Sequence, residues 1–323
     1  MTDVKNTLVK FQSIIALLVL CIVLTIMSDK FFTMENGWNI ARQISINVCI
    51  SVGMTLVILT KGIDLSVGSI LAFSGAVAAG LLKFGLEIPS INTYIGFTVF
   101  GAILTGLIVG GALGVFNGWM ITRFKVPPFV ATLAMLTMAR GATMLWTGGF
   151  PITGLGETFD FIGTGWFLGI PMPVWITVVL VVIAVVVTKK TQFGRHIYAI
   201  GGNESAARLS GININKIKIW VYAIAGILAA VGGIILTSRL DSAQPNAGMS
   251  YELDSIAAVV IGGTSLSGGR GSIMGTVQGA LIIGVLNSGL VLLNVSPFWQ
   301  QIIKGLVILV AVIMDRLNHP NDD

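Results

Sequence analysis

The sequence has few charged residues. Asp, Glu, Lys and Arg make up 10% of its 323 residues, while 54% are hydrophobic. Soluble domains carry about 25% charged residues, so too little polar surface remains here to cover a water-soluble globule. Since a membrane-spanning helix takes about 20 apolar residues, the composition indicates a polytopic membrane protein with short loops and no room for a soluble domain.

Several residue patterns are also missing, and each absence excludes a class of site. The two cysteines, Cys21 and Cys49, both lie in apolar runs and exclude a disulfide framework. The two histidines, His196 and His319, offer no zinc spacing. No Gly is followed by Lys, so the chain lacks a P-loop. We predict no catalytic residue, metal or cofactor and no nucleic-acid partner, so active transport would take its energy from another subunit or an ion gradient.

The apolar runs predict an all-α protein of about ten transmembrane helices, in one transmembrane domain over residues 1–323. A tenth apolar segment, 254–263, is too short to cross a membrane alone. Longer polar or glycine-rich stretches occur at 147–172, 188–218 and 237–253. The predicted spans are 11–27, 39–60, 65–82, 92–122, 129–146, 173–187, 217–236, 273–293 and 298–314.

The distribution of basic residues predicts the orientation, because cytoplasmic loops are enriched in Lys and Arg. With the N-terminus inside, only Lys30, Lys83 and Arg239 face outward. The inner loops and tails then hold Lys5, Lys10, Lys61, Arg123, Lys125, Lys189, Lys190, Arg195, Arg208, Lys216, Lys218, Arg270 and Arg316. Both termini are therefore expected in the cytoplasm, with an uncleaved first helix and with 147–172 and 237–253 as outer loops.

The polar stretch 188–218 interrupts two apolar runs, and its centre predicts a short helix. Asn203 is suited to cap its N-terminus, and Glu204 follows where the helix dipole favours a carboxylate. Gly211 is suited to end it in a left-handed conformation. The small residues Ser205, Ala206 and Ala207 would let another surface approach the backbone. One hypothesis is a docking helix for a cytoplasmic partner, and the alternative is an ordinary loop between spans.

This stretch resembles the cytoplasmic coupling loop of sugar-importing ABC transporter permeases, and most of all their ribose branch, which also includes xylose and autoinducer-2 permeases. The general importer signature has Glu-Ala-Ala, three residues and Gly; Glu204, Ala206, Ala207 and Gly211 match it with one inserted Ser. The later Ile-x-Leu-Pro of that signature is absent. The resemblance extends over nearly the whole chain, including 242–245 and 251–260. In such permeases this helix lies in a groove of the ATP-hydrolysing subunit. The coupling residues it implies are Asn203, Glu204, Ala206, Ala207, Arg208 and Gly211.

Two glycine-rich breaks, 62–69 and 262–272, each follow an apolar run and precede a helix of small residues. Paired breaks of this kind point to a translocation path between related halves. Ordinary cytoplasmic turns would show the same residue pattern. Polar side chains in and near the spans are candidates for the path, and interhelical hydrogen bonds explain them equally well. These candidates are Gln43, Asn47, Asp64, Ser66, Asn117, Thr132 and Asn287.

Charged residues inside spans need a partner or water. Arg140 lies in the middle of a span and therefore needs a partner that the sequence does not identify. Lys304 lies close enough to a span end for its side chain to reach the interface.

The resemblance implies a permease subunit for D-ribose in a bacterial inner membrane, working as a homodimer surrounded by lipid. It also implies a cytoplasmic ATP-binding subunit, a periplasmic sugar-binding protein and alternating access of a small sugar. One alternative is the same machinery with galactose, xylose or autoinducer-2 as cargo. A second is an ion-coupled secondary transporter with Asp64 and Arg140 as its ion site, and a third is a scaffold or signalling protein without cargo.

Overall fold

The computed structural model describes residues 2–88 and 93–318, with side chains for 15–87 and 93–313. Thirteen helices occur in this part of the chain, so the all-α class is confirmed. They are α1 (Thr2–Met27), α2 (Met34–Leu59), α3 (Val67–Phe84), α4 (Val99–Arg123), α5 (Pro128–Thr147), α6 (Glu157–Thr164), α7 (Met172–Lys190), α8 (Gln192–Gly202), α9 (Glu204–Leu209), α10 (Ile214–Arg239), α11 (Tyr251–Ile261), α12 (Ile273–Leu292) and α13 (Pro297–Asn318).

Among the described residues, seven helices are long and apolar enough to cross a membrane: α2, α3, α4, α5, α7, α10 and α12. The described apolar parts of α1 and α13, Ile15–Met27 and Pro297–Ile313, are shorter. Helix α11 has 11 residues, which agrees with the prediction that this segment is too short to cross alone. The side chains of Lys5, Lys10 and Arg316, and all of His319, lie outside the described residues.

The fourth predicted span begins at residue 92, which lies outside the described residues, but its helix starts only at Val99. Strand β1 (Leu86–Ile88) pairs with β2 (Thr93–Ile95) in an antiparallel hairpin ahead of it. The Thr98 hydroxyl then caps α4 by accepting a hydrogen bond from the Gly101 N–H at 3.2 Å. The apolar run is therefore divided between a hairpin and a helix.

The stretches 147–172 and 237–253 contact each other at one end of the helices. Strand β3 (Ile152–Thr153) pairs with β6 (Ser242–Ala243), and β4 (Trp166–Phe167) pairs with β5 (Ile170–Pro171), both antiparallel. The Ser238 hydroxyl donates to the carbonyl of Phe159 at 2.6 Å and accepts from the Gly163 N–H at 2.7 Å. These bonds fasten α6 to the end of α10, a contact that the sequence did not predict.

The helices divide into a central and a peripheral group. In its most apolar window, α2 is 89% buried and α3 is 78% buried, whereas α7 is only 17% buried. Helix α10 belongs with the central group, and α4 and α5 with the peripheral one. Since the peripheral helices expose mainly apolar side chains, their outer faces suit contact with lipid.

The glycines repeated every four residues along α4 are a packing seam against α10. A Cβ at Gly114 would lie 2.2 Å from the Tyr222 carbonyl oxygen, and one at Gly110 would lie 2.6 Å from the carbonyl oxygen of Gly226. A Cβ at Gly118 would meet Ile219. Helices pack this closely only where side chains are absent, so the ladder holds a peripheral helix against the core.

Candidate coupling site and translocation path

Helix α9 has the caps that the sequence predicts. The Asn203 side-chain oxygen accepts a hydrogen bond from the Ala206 N–H at 2.9 Å. At the other end, Gly211 is left-handed with φ of 82°, and its N–H donates to the Arg208 carbonyl at 3.0 Å. Both ends of this six-residue helix are therefore fixed by local chemistry.

The residues of α9 face two ways. Ala207 is buried and packs with Ile200 and Ile214, so it anchors the helix to the protein. Leu209 is 90% exposed, an unusual position for a leucine beside a polar loop. The other exposed residues of the helix are Ser205, Ala206 and Arg208. The surface that α9 offers to a partner is therefore made by these four exposed residues and not by Ala207.

Glu204 is paired within the chain. Its carboxylate accepts from the Lys218 ammonium at 2.8 Å and from the Arg208 guanidinium at 3.4 Å. The hydrogen bond from Lys218 is the main reason that the pKa of Glu204 lies below its ordinary value. Because Lys218 belongs to the first turns of α10, this carboxylate fastens α9 to a central span.

Helix α8, directly before α9, was missed by the sequence analysis. Its start is marked by Thr191, whose hydroxyl accepts from the Gly194 N–H at 3.3 Å. The apolar residues Phe193, Ile197 and Ile200 recur at helical spacing, and the last two are fully buried. These two signals together could have predicted the helix.

Helix α8 ends where the second glycine-rich break meets the end of α2. The Gly269 N–H of the second break donates to the carbonyl of Leu59, the last residue of α2, at 3.0 Å. A Cβ at Gly201 would lie 1.9 Å from that same carbonyl oxygen and 2.3 Å from the Gly269 nitrogen. We call this contact of Leu59, Gly201 and Gly269 the glycine junction. It places the C-terminal end of α8, directly before α9, in contact with the second break and with the end of α2 just ahead of the first break.

The first break is closed by a buried network of side chains. The Asp64 carboxylate accepts from the Ser66 N–H at 2.9 Å and from the Ser66 hydroxyl at 2.5 Å. The Asn117 amide donates to that hydroxyl at 2.9 Å, and the Thr132 hydroxyl accepts from the Leu65 N–H at 3.2 Å. The structure thus unites four of the seven predicted path residues: Asp64, Ser66, Asn117 and Thr132.

Asn287 belongs to a second buried cluster. Its amide donates to the Asp254 carboxylate at 3.2 Å, and the Lys304 ammonium donates to the same oxygen at 2.9 Å. The position of Lys304 near a span end predicted that its side chain would reach the membrane interface. The structure instead holds it inside the protein by this ion pair. The cluster ties α11, α12 and α13 together.

The remaining path candidates, Gln43 and Asn47, lie on α2. Asn47 is buried and Gln43 is half-buried. Neither side chain has a hydrogen-bond partner within the described part of the protein, so neither is used to hold helices together there.

Arg140 has the partner that the sequence did not identify. Its guanidinium donates from Nη1 to the carbonyls of Pro245 and Ala247, at 2.7 and 2.8 Å. These carbonyls belong to the non-helical stretch between α10 and α11. Within the described residues no hydrogen bond or ion pair joins Arg140 to Asp64, whose carboxylate is bonded to Ser66 instead.

Comparison with known proteins identifies the family. The family model described as "Branched-chain amino acid transport system / permease component" matches residues 37–312. The chain belongs to this permease family. It is a multi-pass membrane protein and the permease component of a transport system, as the sequence predicted.

Bacterial relatives resemble the permease along nearly its whole length. It is 51% identical over 318 residues to the ribose import permease protein RbsC of Haemophilus influenzae, covering 97% of this chain and 95% of the relative. Identity to RbsC of Bacillus subtilis is 52% over 309 residues, covering 95% and 92%. Identity to the xylose transport system permease protein XylH of Haemophilus influenzae is 34%, covering 96% and 97%. No solved structure gives a significant match.

Proposed function

We propose that the permease is the membrane subunit of an ABC importer for D-ribose in a bacterial inner membrane. The observation that supports D-ribose as the cargo is the 51% and 52% identity to ribose import permeases over nearly the whole length of the chain. Identity to the xylose permease is 34%, so ribose is favoured over xylose.

The proposed energy source is a cytoplasmic ATP-binding subunit seated on α9. Three features support this: the exposed surface of Ser205, Ala206, Arg208 and Leu209, the two capped ends, and the glycine junction at the base of the helix. A partner that moves α9 would move Gly201, and with it the carbonyl of Leu59 and the second break. Closure of the ATP-binding subunits on ATP would thus reach the end of α2 and the second break without a flexible connection.

The remaining parts of the assembly follow from the same proposal. The α9 face is cytoplasmic, as are both termini, and two copies of the permease form a homodimer that offers two α9 surfaces. The opposite face receives sugar from a periplasmic binding protein. Glu157 and Asp160 on α6 are exposed or half-buried at that face and suit such docking. Glu252 is half-buried, and its carboxylate faces the first turn of α3 at Gly68, so it does not belong to this surface.

The test is uptake of labelled D-ribose by cells that lack their own ribose permease but keep its ATP-binding subunit and binding protein. We expect this chain to restore uptake, and excess unlabelled xylose, galactose or autoinducer-2 to leave it unchanged. Competition by one of these would reassign the cargo. Uptake that persists after removal of the ATP-binding subunit would overturn the ABC importer in favour of a secondary transporter.

A further inference from the structure

Three buried polar atoms around the first break have no hydrogen-bond partner among the described residues. They are Oδ2 of Asp64, Oδ1 of Asn117 and the hydroxyl of Tyr222. Asp64 is 0% exposed, and Asn117 and Tyr222 are each 1% exposed. An unsatisfied buried polar atom is costly, and such atoms are rare in native proteins. Three of them in one region indicate that a donor hydrogen belongs there.

The break, α4 and α10 bring these atoms into the same region. The Ser66 hydroxyl links two of the side chains, because it donates to Oδ1 of Asp64 at 2.5 Å and accepts from the Asn117 amide at 2.9 Å. Tyr222 reaches the break from α10, where a Cβ added at Gly62 would collide with its hydroxyl oxygen. Since Gly62 lies two residues before Asp64, the tyrosine hydroxyl borders the same buried network.

A comparison with Asp254 shows what Asp64 lacks. Both aspartates are buried, at 3% and 0% exposure. The carboxylate of Asp254 forms an ion pair with the Lys304 ammonium at 2.9 Å, whereas Asp64 forms no ion pair within the described part of the chain. An ionised carboxylate without a counter-ion is strongly disfavoured in a protein interior, and such a group takes up a proton instead.

The groups that face Asp64 from the neighbouring helices are uncharged. Helix α4 contributes Asn117, α5 contributes the Thr132 hydroxyl bonded to the break at 3.2 Å, and α10 contributes Tyr222, the titratable member of this set. The cation nearest in sequence, Lys61, is exposed, and its side chain lies against Gly268 of the second break. The surroundings of Asp64 therefore suit a neutral acid better than a carboxylate.

We propose that Asp64 binds a proton at neutral pH, so that the first break closes around a neutral carboxylic acid. Oδ1 continues to accept from Ser66, and the proton resides on Oδ2. This oxygen then becomes a donor, and the Asn117 carbonyl oxygen and the Tyr222 hydroxyl oxygen are the unpaired acceptors beside it. Any state of the permease in which water reaches the break releases this proton. The inference is independent of the proposed function, because it depends on the buried network alone.

Infrared spectroscopy of the purified permease tests the proton directly, because a protonated carboxyl group has a carbonyl stretching band that a carboxylate lacks. We expect this band at neutral pH in the wild type and its loss in Asp64→Asn, which replaces the neutral acid by an amide of the same shape. Asp29→Asn is the matched control, since it makes the same change at an exposed residue, and it should leave the band in place.

A second measurement covers the case in which Asp64→Asn fails to reach the membrane. Wild-type permease is then prepared with aspartate labelled with ¹³C at the side-chain carboxyl carbon. We expect a carboxyl band to shift with the label, which distinguishes it from a band of the half-buried Glu252. A spectrum without a labelled band overturns the inference.

The pH dependence of stability gives an independent measure. An unfolded Asp titrates at about pH 3.9, so an Asp64 that is still protonated in the fold at neutral pH gives the folded chain more bound protons than the unfolded one. The wild type should therefore lose stability relative to Asp64→Asn as the pH rises. Between about pH 5 and 7, the unfolding equilibrium constant of the wild type should increase about tenfold per pH unit relative to that of the variant.

The contrary results are equally defined. Identical infrared spectra for the wild type and Asp64→Asn would show that Asp64 is ionised and would overturn the inference. So would a ratio of unfolding constants that does not change above pH 5. A water molecule that bridges the three atoms would leave Asp64 ionised and would give both of these results. Ribose uptake has no bearing on either measurement, so failure of the proposed function would be recognised separately.

Discussion

Each glycine-rich break follows an apolar run and precedes a helix of small residues, but the two are closed in different ways. The first is filled by side chains: Asp64 and Ser66 are fully buried, and Asn117 reaches them from α4. The second is closed by backbone contacts of Gly268 and Gly269, both left-handed, and it borders an open cavity. The first break is therefore an anchor within the core, whereas the second is a surface on which the end of α8 rests. Motion of α9 would reach the second break and the end of α2 through Gly201.

The sharpest way to disturb this comparison is at the glycine junction, which joins the second break to the end of α2 just ahead of the first break. Gly201→Ala would place a Cβ 1.9 Å from the Leu59 carbonyl oxygen, and overpacking of this kind costs about 1–3 kcal/mol. We expect ribose uptake to fall by about tenfold or more. In Gly202→Ala a Cβ would meet nothing within 4 Å, so uptake should be normal. If the two variants are present in the membrane at equal amounts and give equal uptake, the glycine junction has no role in transport.

The contrast between side-chain and backbone closure predicts unequal stability effects. Asp64→Ala leaves the Ser66 N–H and hydroxyl without their acceptor in a fully buried site, so it should lower the free energy of unfolding by about 1–3 kcal/mol. Ser267→Ala in the second break removes a half-buried hydroxyl and should change it by less than about 0.5 kcal/mol. Unfolding in detergent measures both values. Comparable losses would show that the breaks do not differ in this way.

The cap of α9 should matter for the partner more than for the fold. Asn203→Ala removes the acceptor of the Ala206 N–H and should destabilise the helix by about 1 kcal/mol. Binding of the ATP-binding subunit should then weaken about fivefold. Asn203→Ser keeps a capping oxygen and should bind like the wild type, as should Asn215→Ala, which removes an exposed side chain of α10. Similar losses in Asn203→Ala and Asn215→Ala would contradict a capping effect.

The smallest expected effect concerns the ion pair between Glu204 and Lys218. Because Lys218 lowers the pKa of Glu204, the pair stabilises the seating of α9 at neutral pH. This contribution disappears as the pH falls through the lowered pKa. The pair is partly exposed, so its contribution is below about 1 kcal/mol. The stability difference between the wild type and Glu204→Gln should therefore be constant near neutral pH and shrink as the pH falls below the ordinary pKa of a Glu, about 4.3; a difference that grows on acidification would contradict the assignment.

The features that could be predicted from the sequence are those that depend on residues close together in the chain. Asn203 and Gly211 mark the ends of α9 because capping depends on residues within one turn, and long apolar runs mark the spans. The partners of Arg140 and Lys304 could not be read in the same way. They lie 105 residues away at Pro245 and 50 residues away at Asp254, and only packing of the whole chain brings them together. Gly201 gave no signal of its own, since its role depends on Leu59 and Gly269.

In the proposed mechanism, ATP hydrolysed on the α9 face drives ribose through this chain. The most direct measurement is ribose accumulation in proteoliposomes that contain the permease, with the binding protein on the face opposite α9. We expect accumulation only when the ATP-binding subunit and ATP are supplied on the α9 face, and none with the permease alone. Accumulation without the ATP-binding subunit, or with that subunit working from the opposite face, would contradict the account.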